Sequence, residues 1–144
     1  MARPNPKRIE GQFVPHRADL LASAAWRKLS LAARLVLDRL ELEHMAEGGA
    51  ENGNLACTYD HFEEHGIRRK SVKPALAELV AAGMVEITFK GRGGNAAYRH
   101  PSRYRLTYLS AKGRAPTDDW RGKGNVPASV ERTPAGPESF AKPN

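Results

Sequence analysis

The sequence predicts a mainly α, α+β domain closed by one small antiparallel hairpin, and three observations carry that prediction. Between residues 18 and 83 apolar residues recur at three- and four-residue steps, the period of a helix. After Gly83 the period falls to two over residues 84–89, and again over residues 103–109, as in a strand. Charge is also divided: residues 31–65 hold 2 basic and 8 acidic side chains, whereas residues 66–105 hold 9 basic and 2 acidic. A net charge of +7 laid out in this way favours a polyanionic partner at one face over general adhesiveness.

The chain has 144 residues, 40% of them apolar, which suits one core of about a hundred residues with poorly ordered ends. Residues 1–17 carry three prolines and four basic side chains and read as an extended basic arm. Phe13 and Val14 can pin its end to the domain, and Arg3, Lys7 and Arg8 suit either a mobile terminus or entry into a minor groove. Leu20, Leu21 and Trp26 mark a first short helix. Ser30 is a competent N-cap for a longer one, on which Leu31, Leu35, Val36 or Leu37, Leu40, Leu42 and Met45 form a stripe. Arg34, Asp38, Arg39, Glu41, Glu43 and Glu47 fall on its other face, with Arg34–Asp38 and Arg39–Glu43 at i,i+4 spacing. The leucine stripe serves the core alone, or the core together with a homodimer contact through residues 31–47.

Gly48, Gly49, Asn52 and Gly53 end that helix in a loop, and Leu55-Ala56-Cys57 is long enough for one small strand. Thr58 then caps an acidic helix with Tyr59, Phe62 and Ile67 inward, ending at Gly66. The next helix carries Val72, Leu76, Leu79 and Val80 on one side, opens with Arg68, Arg69 and Lys70, and closes at Gly83. An acidic helix, a glycine turn and a basic-headed helix have the layout of a DNA-reading helix-turn-helix. Two strands follow around a glycine-rich tip bearing Lys90, Arg92, Arg99 and His100. Tyr104, Leu106 and Tyr108 are expected on one face of the second strand, and Arg103, Arg105 and Thr107 on the other.

In this order of elements, residues 18–109 resemble a winged helix-turn-helix domain with a small antiparallel β-hairpin wing. GIRRKSVKPALAELVAAGMVEITF is the most similar part, and it is similar to the winged helices of bacterial transcriptional regulators and of plasmid or phage replication and accessory proteins. The resemblance implies that residues 69–82 enter the major groove of double-stranded DNA and that residues 90–102 form the wing. Pro74 departs from the expected helix interior, where proline costs on the order of 3 kcal/mol. The helix is therefore expected to start at or just before Ser71, leaving the arginines in the turn as phosphate anchors. The expected contacts are Arg68, Arg69, Lys70, Ser71 and Lys73 from the helix, and Lys90, Arg92, Arg99 and Arg103 from the wing. Neutralising about five phosphates gives a log–log salt slope near −4.5, or roughly 500-fold weaker binding at 200 than at 50 mM salt.

Other chemistry finds little support. His61 and His65 share a helix face, but Phe62 stands where a zinc protease needs glutamate, and Glu41 with His44 reads as an ordinary exposed pair. Lys90-Gly91-Arg92-Gly93-Gly94 lacks phosphate-loop spacing. Cys57, the only cysteine, reads as a small core residue in a reduced, cytoplasmic setting. No catalytic, metal or cofactor site is expected, and no membrane span or secretory leader. Residues 110–144 are rich in glycine, proline and charge and are expected to be disordered, although Trp120 can fold back onto the domain or mark a protein-partner motif.

Overall fold

Ser30 and Thr58 start their helices as expected. In the computed structural model, which describes residues 8–91 and 100–124, Ser30 Oγ accepts from Ala33 N to cap α3 (Leu31–Ala46). Thr58 caps α4 (Tyr59–Glu64) in a reciprocal box: its hydroxyl accepts from His61 N, and Thr58 N donates to His61 Nδ1. The single short helix expected around Leu20 is two, α1 (Ala18–Ala22) and α2 (Ala24–Arg27). They divide at Ser23, whose extended backbone frees its hydroxyl to cap the second.

The last helix, α5 (Arg69–Ala81), begins two residues ahead of the start expected from Pro74. Ser71 N closes the first turn on Arg68 O at 2.8 Å, so Pro74 stands in the second turn. Its ring is on the exposed side, where water can serve the carbonyl that the missing N–H would have engaged. Val72, Ala75, Leu76 and Leu79 point inward, whereas Val80, expected with them, is exposed.

Three antiparallel strands, β1 (Leu55–Ala56), β2 (Val85–Phe89) and β3 (Arg103–Leu106), are ordered β1-β3-β2. Leu55 pairs with Tyr104, and Val85 with Leu106. The described residues thus form an α+β fold of five helices and one small sheet. Beside β3, β2 shifts register between Ile87 and Phe89, and Thr88 Oγ1 ties the irregularity to Gly53 O at 2.7 Å. The alternation expected along residues 103–109 fails: Arg105 and Thr107 are as buried as Tyr104, Leu106 and Tyr108. A central strand is covered on both faces, and here the second cover is the segment that follows it.

That segment corrects the expected domain boundary at residue 109. Residues 110–124 lie on the domain, and Trp120 is a core residue, so it is neither part of a disordered tail nor an accessible partner motif. Asp118 N donates to Thr107 O, and Arg105 donates to Thr117 Oγ1 at 2.8 Å and lies 3.5 Å from Asp119. Gly83, at φ +76°, makes room for the crossing: a β-carbon there would lie 2.9 Å from Trp120 Cα. Beyond this, Lys28 Nζ donates to Gly124 O and Arg121 pairs with Asp19. One indole supplies the apolar burial that the rest of this stretch lacks. Residues 125–144 lie outside the described residues.

α3 also departs from its expected faces. Ala33, Val36, Leu37 and Leu40 are in the core, but Leu31 and Leu42 are exposed, and Glu41 and His44, expected outside, are buried. Glu41 is there because two partners reach it: His16 Nε2 at 2.7 Å from Oε2, and the Tyr108 hydroxyl, which donates to the same oxygen. The His16 ring also lies 5.2 Å from Trp26 and 5.7 Å from Tyr108, centre to centre. With Gln12 donating to Met45 O, the end of the arm is held along α3, with Val14 packed against the core and Phe13 exposed.

Candidate nucleic-acid interface

The expected site residues sort into three groups. Arg68, Lys70 and Lys73 are exposed, and among the described residues none has a side-chain partner. Ser71 is half-buried, three residues into α5. These four share the first turns of one helix, where the backbone N–H groups add partial positive charge. Lys90 is exposed just past the end of β2.

Arg69 belongs to a second group. Its Nη1 lies 2.7 Å from Asp60 and 3.2 Å from Glu63, and its guanidinium sits 5.7 Å from the Tyr59 ring centre. The pairing with Asp60 holds its pKa above the usual arginine value. The acidic side of α4 thereby neutralises the arginine that sequence spacing made the centre of the basic triplet. Arg103 is likewise engaged, donating to Asn54 Oδ1 at 2.7 Å, which ties the base of the hairpin to the loop before β1. Arg92 and Arg99, the third group, lie outside the described residues.

The hairpin base is closely built. Gly91 N donates to Ser102 Oγ at 2.8 Å, and a β-carbon on Gly91 would meet the backbone of Pro101 and Ser102. α5 packs against β2, which sets the basic helix beside the base of the hairpin.

Two features escaped sequence reasoning. Asn52, read as a turn-former, is buried; its amide donates to the carbonyls of Leu106, Leu109 and Ser110 and accepts from Leu106 N. A buried asparagine satisfied four times fixes the loop ahead of β1 against the end of β3. Its only sequence signal, a place between glycines, is shared by solvent-facing turns. The Glu41 cluster also gave no signal, because its members are 25 and 67 residues apart. Its electrostatics follow from burial and pairing. The hydrogen bond to Glu41 raises the His16 pKa; burial raises Asp38 and Tyr108 and lowers His44, whose buried Nδ1 has no partner among the described residues. Burial also pushes the Cys57 thiol up to about 11, which removes it as a nucleophile. Among the described residues no group of His, Cys, Asp and Glu is placed to hold a metal, and no helix is long and apolar enough to cross a membrane.

Comparison of the chain with protein-family models, with curated proteins and with solved structures finds no match to any of them.

Proposed function

We propose that this chain is a winged helix-turn-helix protein that binds double-stranded DNA and regulates transcription. One observation carries the reading: a long helix, β1, α4, a glycine turn, α5 and the β2–β3 hairpin follow in that order around a β1-β3-β2 sheet, with three cations at the head of α5 that have no side-chain partner among the described residues. On this reading α5 lies in the major groove and the hairpin is the wing. Arg68, Lys70 and Lys73 hold phosphates while Ser71 faces base edges. Arg69 contributes less, because Asp60 and Glu63 already hold it, and Arg103 acts by positioning the wing.

The test is anisotropy of labelled duplex DNA, titrated with the full chain at several salt concentrations. Lys70→Ala with Lys73→Ala is expected to flatten the log–log salt slope by about 2. An unchanged slope and affinity would put the DNA-binding face elsewhere. Selection from random duplexes then separates a regulator with a defined site from a replication or transfer accessory protein with modest base preference.

A further inference from the structure

α3 carries a second apolar stripe outside its core face, and within that stripe Leu35 is packed against the core. Ala33, Val36, Leu37 and Leu40 point inward. On the opposite side Leu31, Leu35, Asp38, Leu42 and Met45 follow one another at steps of four, three, four and three. That is the a/d spacing of a coiled-coil seam, which a core-facing helix does not need on its outer side. Leu31 is 73% exposed and Leu42 47%, Asp38 is exposed, and Leu35 and Met45 are half-buried. Beside this stripe the arm is held to α3 by Gln12 at the Met45 carbonyl and His16 at Glu41, and Phe13, between them in sequence, is 55% exposed.

We infer that this outer seam is the contact between two copies of the chain, with the α3 helices antiparallel. Self-complementarity of the stripe selects the occupant, and charge selects the orientation. In a parallel, in-register pair Asp38, at a d position, would face Asp38 of the other copy across the seam. In an antiparallel pair with a positions set against d positions, Leu31 meets Leu42 of the other copy, twice, so the two most exposed leucines of α3 cover each other. Asp38 then lies level with Leu35 of the other copy and one residue from its Arg34, giving opposite charges on both sides of the two-fold axis. Arg34 has donors to spare: among the described residues its side chain donates from Nη2 to Trp26 O at 2.9 Å, with its guanidinium 5.5 Å from the Trp26 ring centre. The helix macrodipoles also oppose one another in this arrangement.

The interface is modest. α3, with 16 residues, is about 24 Å long, so the seam and arm cover less than the roughly 800 Å² per partner of a standard stable contact. The dimer is therefore expected to form at micromolar concentrations, largely monomeric near 1 µM and dimeric above about 100 µM. This inference does not rest on DNA binding. If both hold, the two α5 helices are related by a two-fold axis and the preferred site is palindromic.

Sedimentation equilibrium of the full chain without DNA tests it. The wild type is expected to dimerise in that range, and Leu42→Lys or Leu31→Lys to raise the midpoint at least tenfold with unchanged circular dichroism, since both side chains are already exposed. Orientation is read from mixed disulfides in a Cys57→Ser background. Equimolar Leu31→Cys and Leu42→Cys chains are expected to give mainly heterodimers under mild oxidation. A wild type still monomeric at about 500 µM, or dimers indifferent to both lysine variants, would overturn the interface. Like-with-like crosslinks alone would overturn the antiparallel arrangement, as would a higher oligomer in place of a dimer.

Discussion

Glu78 of α5 caps α3: its carboxylate accepts from Ser30 N at 2.6 Å and from Ser30 Oγ at 2.7 Å. Ser30 meanwhile caps the same helix from within, so one residue of the basic-headed helix fixes the start of the scaffold helix across 48 positions of sequence. Glu78→Ala is expected to cost about 1 kcal/mol, because the contact is exposed but charge-assisted. Urea unfolding measures it. Ser30→Ala in the Glu78→Ala background should cost less than it does alone, since the two groups share one network.

The crossing of Gly83 by the segment around Trp120 should dominate stability. Trp120→Ala is expected to destabilise by about 3–5 kcal/mol, as for other buried aromatics. Gly83→Ala should cost at least about 2 kcal/mol, since it combines a left-handed backbone with a collision against Asp119 and Trp120. Thermal and urea unfolding of both variants, with far-UV circular dichroism, would check this. A near-neutral Trp120→Ala would mean that residues 110–124 are not part of the cooperative unit.

His16 and His44 should give opposite pH dependences. The His16 pKa is raised by Glu41, so its contribution is complete below the unfolded value of 6.5 and is lost as pH rises through the folded value. The stability difference between wild type and His16→Gln is therefore expected to be larger at pH 6 than at pH 9. The His44 pKa is lowered by burial, so its protonation favours the unfolded chain as pH falls below 6.5. Wild type should lose stability relative to His44→Gln between about pH 7 and pH 5. Asp38, Tyr108 and Trp26 surround the His16–Glu41 pair, and Tyr108→Phe should cost about 1–3 kcal/mol by leaving the buried Glu41 carboxylate one donor short.

If α5 binds DNA, Arg69 is restrained by the acidic helix beside it. Asp60→Asn with Glu63→Gln is then expected to tighten binding and to steepen the log–log salt slope by about 1, because one more cation becomes available to phosphate. Salt-dependent anisotropy with duplex DNA measures both. An unchanged slope would mean that Arg69 points away from the bound duplex.

Read alone, the sequence established what local chemistry decides. Ser30 and Thr58 mark helix starts because their hydroxyls find N–H groups three residues on, within the same turn. Gly83 marks a helix end and Leu55-Ala56 a strand for equally local reasons, and the switch from period 3.6 to period 2 located the hairpin. The cations at residues 68–73 were legible as a charged helix head, but which of them are unpaired was not. Arg69 meets Asp60 and Glu63 only after the turn at Gly66 folds α5 back on α4. The tertiary structure alone decided which face of α3 is inside, since Leu31 and Leu42 recur at helical spacing on one side and Val36 and Leu40 on the other, and only what lies opposite tells the two apart. It alone placed Trp120 in the core and Arg105 under cover, because a side chain is buried by residues distant in sequence. Glu41 is the clearest case: beside Arg39 and Glu43 it reads as surface, and only His16 and Tyr108, arriving from both ends of the domain, make it an interior charge.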